Sequence, residues 1–107
     1  MGQHILLQAS INGESVARAY TPTSSNLQKG YFDLVVKVYH ANVNPAFPAG
    51  GKMSQHLNFM NVDDTINVKG PTGHVTYLGR GHIQVGKVKH EVNNFVMIAA
   101  GSGITRK

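Results

Sequence analysis

The stretch Gln3-His4-Ile5-Leu6-Leu7-Gln8-Ala9-Ser10-Ile11-Asn12-Gly13-Glu14-Ser15-Val16-Ala17-Arg18-Ala19-Tyr20 decides the fold. Residues 3–11 are rich in Ile and Leu and alternate weakly, as a half-buried strand does. Asn12-Gly13 follows, and both residue types tolerate positive φ, which is the strongest short-range hairpin signal. Residues 14–20 then return as a second strand. The chain therefore opens as an antiparallel hairpin.

Working outward, Thr21-Pro22-Thr23-Ser24-Ser25-Asn26 is a polar turn, with Pro22 breaking regular pairing. Residues 31–39 (Tyr-Phe-Asp-Leu-Val-Val-Lys-Val-Tyr) are β-branched and aromatic and read as a strand. Residues 40–51 form a loop containing Pro45, Pro48 and Gly50-Gly51. Residues 52–60 read as the one helix, because Met53, Leu57 and Met60 recur at i, i+4 and i+7. Asp63-Asp64 closes that region in a turn. A strand over 65–69, a turn over 70–73 and a strand over 74–78 follow. Gly79-Arg80-Gly81 bends the chain, and 82–92 reads as two short strands around Gly86. The expected fold is mainly β: an antiparallel Greek-key β-barrel with one short helix. The apolar run 95–100 (Phe-Val-Met-Ile-Ala-Ala) differs, because it stops at Gly101-Ser102-Gly103 as the first strand of a parallel α/β nucleotide-binding domain does. The expected division is residues 1–93 as the barrel and 94–107 as the start of a second, missing domain, which makes the chain a fragment.

The 107 residues suit one domain, and a hydrophobic content of 41% suffices for a core. With no Cys, a disulfide scaffold, a thiolate metal site and a Cys nucleophile are excluded. No apolar run approaches the roughly 20 residues of a membrane helix, and the N-terminus lacks the features of a signal peptide, so a cytoplasmic protein is expected. The net charge of +5 suits an anionic partner. The six His show no short paired ligand spacing, so no metal is expected.

Three constellations are candidates for chemistry. Arg18 and Tyr20 share one strand face, where a guanidinium meets phosphate and a phenol packs on a flat ring; the plainer reading is two outward residues. Gly50-Gly51-Lys52-Met53-Ser54 runs two glycines into a helix start, whose unpaired N–H groups favour an anion; the plainer reading is a turn and N-cap. Gly101-Ser102-Gly103-Ile104-Thr105 lets a backbone approach a ligand closely, but no third Gly completes a dinucleotide fingerprint.

Taken in order, Arg18-Ala19-Tyr20-Thr21-Pro22-Thr23-Ser24, Phe32-Asp33-Leu34-Val35-Val36-Lys37-Val38-Tyr39, Phe47-Pro48-Ala49-Gly50-Gly51-Lys52-Met53-Ser54-Gln55, Val68-Lys69-Gly70-Pro71-Thr72-Gly73-His74 and Met97-Ile98-Ala99-Ala100-Gly101-Ser102-Gly103-Ile104-Thr105 resemble the ferredoxin–NADP reductase superfamily. The branch is that of the cytochrome b5 reductases and the C-terminal flavin domain of eukaryotic assimilatory nitrate reductases. Ala19, Thr23, Gly73-His74, Tyr77 and Gly79-Arg80-Gly81 lean to nitrate reductase, and residues 50–55 fit cytochrome b5 reductase equally. Ala100 stands where the family usually has Gly, and Arg106 where it has Pro.

The resemblance implies an FAD-binding flavoprotein oxidoreductase. Electrons would pass from NAD(P)H through FAD to a b5-type haem, with no membrane in the nitrate reductase reading. It implies Arg18 on the pyrophosphate and Tyr20 on the isoalloxazine and ribityl region. Thr21 would lie near flavin N5, as the catalytic residue. Val35, Val36, Lys37, Val38 and Tyr39 would present backbone to the flavin. Lys52, Met53 and Ser54 would cap the pyrophosphate, and Ser102 and Thr105 would lie near flavin and nicotinamide. With its second domain missing, the fragment alone is not expected to turn over. A small basic nucleic-acid-binding β-barrel is the reading from a different class. It needs exposed stacking aromatics beside a basic groove, whereas the aromatics here fall on the reductase motifs and Trp is absent. A third reading is a remnant that keeps the fold and binds nothing.

Overall fold

The computed structural model describes residues 2–101 and 104. Strand β1 (His4–Ile11) turns at Asn12 and Gly13, with φ of 51° and 76°, into β2 (Glu14–Tyr20). Both turn residues occupy the left-handed region that a two-residue hairpin demands. The helix α1 spans Lys52–Phe59, and β3 (Asn67–Thr72), β4 (Val75–Gly79), β5 (His82–Val85) and β6 (Val88–Glu91) follow. The strands form two three-stranded sheets, ordered β2-β1-β3 and β4-β5-β6. The expected class, mainly β and antiparallel with one short helix, is the one observed.

The chain divides into two compact units, Met1–Ile5 with Thr21–Val35 and Gly70–Lys107, and Leu6–Tyr20 with Val36–Lys69. In the second unit α1 packs on β2. Val16 from the strand and Met53 from the helix are 3% and 2% exposed, and Leu7 is buried as well. The inward helix positions are the expected Met53, Leu57 and Met60, of which only Met53 is fully covered. The helix ends one residue before the sequence pattern suggests, where Met60 turns extended and its N–H reaches Leu57 O.

In the first unit β4, β5 and β6 form an antiparallel meander. Val75, Val85 and Val88 align across it, as do Tyr77, Ile83 and His90. Phe95 sets its ring edge-on to Tyr77, with centroids 5.5 Å apart.

Three expectations need correction. Residues 31–39 pair with no strand. Their exposure still alternates, with Leu34, Val36 and Val38 half-buried and Val35, Lys37 and Tyr39 exposed. The segment is tied at its ends instead: Thr23 N–H donates to Asp33 O, Asp33 N–H to the Ser24 hydroxyl, and Gly51 N–H to Tyr39 O. β-Branched composition reports a fit to a pleated surface, not the presence of a neighbour to pair with.

The run 95–100 is likewise no strand, and Val96 and Ile98 are 87% and 93% exposed. A strand needs a ladder, and none of the described residues supplies one. Finally, β3 runs through Gly70 and Pro71 to Thr72 where a turn was expected. Pro71 is tolerated there because β3 is an edge strand in its sheet order and needs no second set of ladder donors.

Candidate functional site

The face of β2 that meets α1 is set by period-two alternation. Val16 is its buried member, so Glu14, Arg18 and Tyr20 lie on that face with it. Glu14 anchors the arrangement: Lys52 Nζ, at the first position of α1, donates to Glu14 Oε2. The Lys52 ammonium holds the Glu14 carboxyl below the ordinary glutamate value, and the Arg18 guanidinium adds to this. Arg18 and the helix start therefore flank one carboxylate and share one side of the unit. Arg18 Nη1 donates to Ala17 O at 2.7 Å, which leaves the rest of its donor fork open to solvent. Burial pushes the Tyr20 phenol above its ordinary range, with Arg18 pulling the other way. Tyr20 is thus a neutral, half-covered ring beside a cation.

The lowered Glu14 carboxyl has a pH consequence. Its pairing contributes stability above the unfolded glutamate pKa, and the contribution is lost as pH falls through the lower folded value. Both side chains are about half exposed, so the contribution is small. Melting of wild type and Glu14→Gln should differ slightly at neutral pH and converge as the pH falls below the ordinary glutamate range.

The first bond within α1 runs from Gln55 N–H to Gly51 O, so the N–H groups of Lys52, Met53 and Ser54 have no acceptor within the helix. No side chain caps the helix, and no acid lies in its first turn. The positive end of the helix dipole is therefore served by no residue of its own element.

The two glycines before it have a packing reason. Gly50 sits at φ +69°, and a Cβ there would lie 2.5 Å from Tyr39 O; a Cβ on Gly51 would lie 2.5 Å from Ser54 Oγ. Ser54 Oγ accepts from Tyr39 N–H at 3.1 Å and donates to Gly51 O at 3.2 Å. Its hydroxyl is thus committed to the loop, and only its backbone N–H faces out from the helix start. Gln55 completes the tie: Oε1 accepts from Ala41 N–H, and Nε2 donates to Ala49 O at 2.9 Å. The chain from Tyr39 to Gly51 is closed on itself at the mouth of the helix.

Of the residues singled out from sequence, Arg18, Tyr20, Val36, Lys37, Val38, Tyr39, Lys52, Met53 and Ser54 fall in the second unit. Lys37 Nζ lies 5.3 Å from the Tyr39 ring centroid, a cation–π contact. Met53 is core, not surface, so only its backbone can serve a ligand. Val35 and Thr21 belong to the first unit. Thr21 lines a cavity of about 600 Å³ there, together with Pro22, Thr23, Ser24, His4 and Pro71. His4 Nε2 is 3.1 Å from the Thr72 hydroxyl. Ser102 and Thr105 lie outside the described residues.

Glu14, Gln55 and His4 were not singled out from sequence. Glu14 carried a readable signal, its even spacing from Arg18 on one strand. Gln55 and His4 carried none, because their contacts are made only by the fold. Among the described residues no three His, Asp or Glu side chains gather as metal ligands, and no helix is long and apolar enough to cross a membrane.

In fold and donor chemistry this is an antiparallel β domain whose helix start and strand-borne arginine suit a phosphate-bearing ligand with a flat ring. The chain belongs to the oxidoreductase FAD-binding domain family, whose model matches residues 1–77. It is 50% identical over 111 residues to NADH-cytochrome b5 reductase 2 of Danio rerio, covering 98% of this chain and 36% of that protein. It is 47% identical over 106 residues to the NADH nitrate reductase of Volvox carteri, covering 98% of this chain and 12% of that one. The crystal structure of the cytochrome b5 reductase domain of Ulva prolifera nitrate reductase superposes with a TM-score of 0.91 at 51% identity, covering 97% of this chain and 39% of that chain. The chain thus spans well under half the length of the relatives it matches. The resemblance drawn from the five ordered motifs is confirmed at the level of family, cofactor class and fold.

Proposed function

We propose that the chain is the flavin-binding part of an NAD(P)H-dependent reductase of the nitrate reductase type, which passes electrons from NAD(P)H through FAD to a b5-type haem in the cytoplasm. In this reading residues 1–93 are the flavin-binding barrel and 94–107 open the nicotinamide-nucleotide domain. The observation that carries it is the acid-free start of α1, where the Lys52, Met53 and Ser54 N–H groups have no acceptor within the helix, in the same unit as Arg18 with most of its donor fork open.

The residues fit FAD in donor chemistry. Arg18 offers a planar fork and Lys52 a point charge to a diphosphate, and the Lys52, Met53 and Ser54 N–H groups add neutral donors. Tyr20 supplies a neutral ring that can pack on another ring without ionising. Bound FAD supplies the redox chemistry, accepting a hydride and releasing electrons singly. The protein's share is orientation and electrostatics. The roles proposed for Thr21 at the hydride-accepting atom, for backbone at Val35, Val36, Lys37, Val38 and Tyr39, and for Ser102 and Thr105 near the nicotinamide rest on the family motifs.

A second reading, a portion of an NADH–cytochrome b5 reductase, is favoured by the 50% identity to the zebrafish protein. The full-length parent separates the two: nitrate-dependent oxidation of NADH selects the first, and reduction of free cytochrome b5 without nitrate turnover selects the second. For the chain itself, titration with FAD should quench flavin fluorescence and leave a yellow protein after gel filtration. A colourless protein with unquenched flavin would sink the reading.

A further inference from the structure

Lys52–Glu14 is the only ion pair among the described residues, and it joins groups 38 residues apart in sequence. The acid comes not from the helix it serves but from the strand that carries Arg18. The pair is exposed on both sides, so it adds little to stability. Its position gives it a different weight. In the flavin reading, a carboxylate held at Lys52 and within the field of Arg18 competes with an incoming diphosphate for those cations. It engages the one cationic side chain at the helix start and repels a second anion.

We propose that Glu14 is a resident stand-in for the ligand's phosphate: it holds Lys52 in the ligand-free chain, must yield it when a diphosphate enters, and so sets the affinity of the site. This rests on the flavin reading above and deepens it. Because the pair is solvent-exposed, Lys52 can exchange one anion for the other without opening the core. The competition is specific to the diphosphate end of the ligand, since a flavin lacking phosphate has no claim on Lys52.

The test is a fluorescence titration of the whole chain with FAD and, separately, with riboflavin, which has no phosphate. Wild type, Glu14→Gln, Lys52→Gln and the double variant are compared, each first shown to be folded by circular dichroism. Glu14→Gln should tighten FAD roughly two- to fivefold, the scale on which an exposed charge pair acts. Riboflavin affinity should stay unchanged, and the gain should shrink in the Lys52→Gln background. FAD affinity that is unchanged or weaker in folded Glu14→Gln overturns the inference alone. So does a gain shared equally by riboflavin, or one undiminished without Lys52. Absence of FAD binding in all four proteins overturns the flavin reading and this inference with it.

Discussion

Arg18→Ala is expected to weaken FAD binding by roughly ten- to a hundredfold, the largest loss of affinity from any single site residue. A charge-assisted hydrogen bond contributes about 1.5–3 kcal/mol, and each 1.4 kcal/mol is tenfold in affinity. The guanidinium is exposed on β2 and makes one bond to its neighbour's carbonyl, so its removal leaves no buried group unpaired. Stability should therefore stay within about 0.5 kcal/mol of wild type, as for surface substitutions generally. Arg18→Lys keeps the charge but not the planar fork, and should recover part of the loss. Fluorescence titration with FAD reads the effect, and equal affinity in wild type and Arg18→Ala would remove Arg18 from the site.

Met53→Ala is expected to lower stability by about 2–5 kcal/mol, the range for truncating a buried methionine. Met53 is 2% exposed and is the largest fully buried side chain among the described residues. The described core is small, with Ile5, Leu7 and Val16 as its other buried apolar members. For a domain of this size the loss lowers Tm by roughly 10 °C or more. Met53→Leu conserves volume and should cost less than about 1.5 kcal/mol. Thermal melting by circular dichroism checks both, and a Met53→Ala variant melting with wild type would show that α1 does not depend on this contact.

Much of the local structure was legible in the sequence where the signal is local. Asn12-Gly13 specifies its own turn, and the strands on either side follow. Met53, Leu57 and Met60 mark the helix by spacing, and Gly86 separates β5 from β6. Long-range dependence hid the rest. The 31–39 segment has the composition of a strand, yet its backbone is tied by Ser24, Ser54 and Gly51 rather than by a partner strand. The run 95–100 is strand-like for the same compositional reason and finds no ladder among the described residues. At the candidate site the motifs named Arg18, Lys52 and Ser54, which fall in one compact unit, with Lys52 and Ser54 in the first turn of α1. They were silent on Glu14, whose importance depends on a contact from 38 residues away. Nor do they reveal that the Ser54 hydroxyl serves the Tyr39 backbone, which leaves only its N–H at the helix start.

The closure of the 39–51 chain by Ser54 and Gln55 bears on kinetics. Those backbone donors are satisfied in the ligand-free chain, so the loop that leads into the helix mouth is already closed before encounter. A preorganised mouth of this kind keeps the ordering entropy out of the association step. Apart from the exchange of Lys52 between anions, capture there should need no slow ordering step, and its rate should rise linearly with ligand concentration. Differences among site variants should then appear chiefly as changes in residence time.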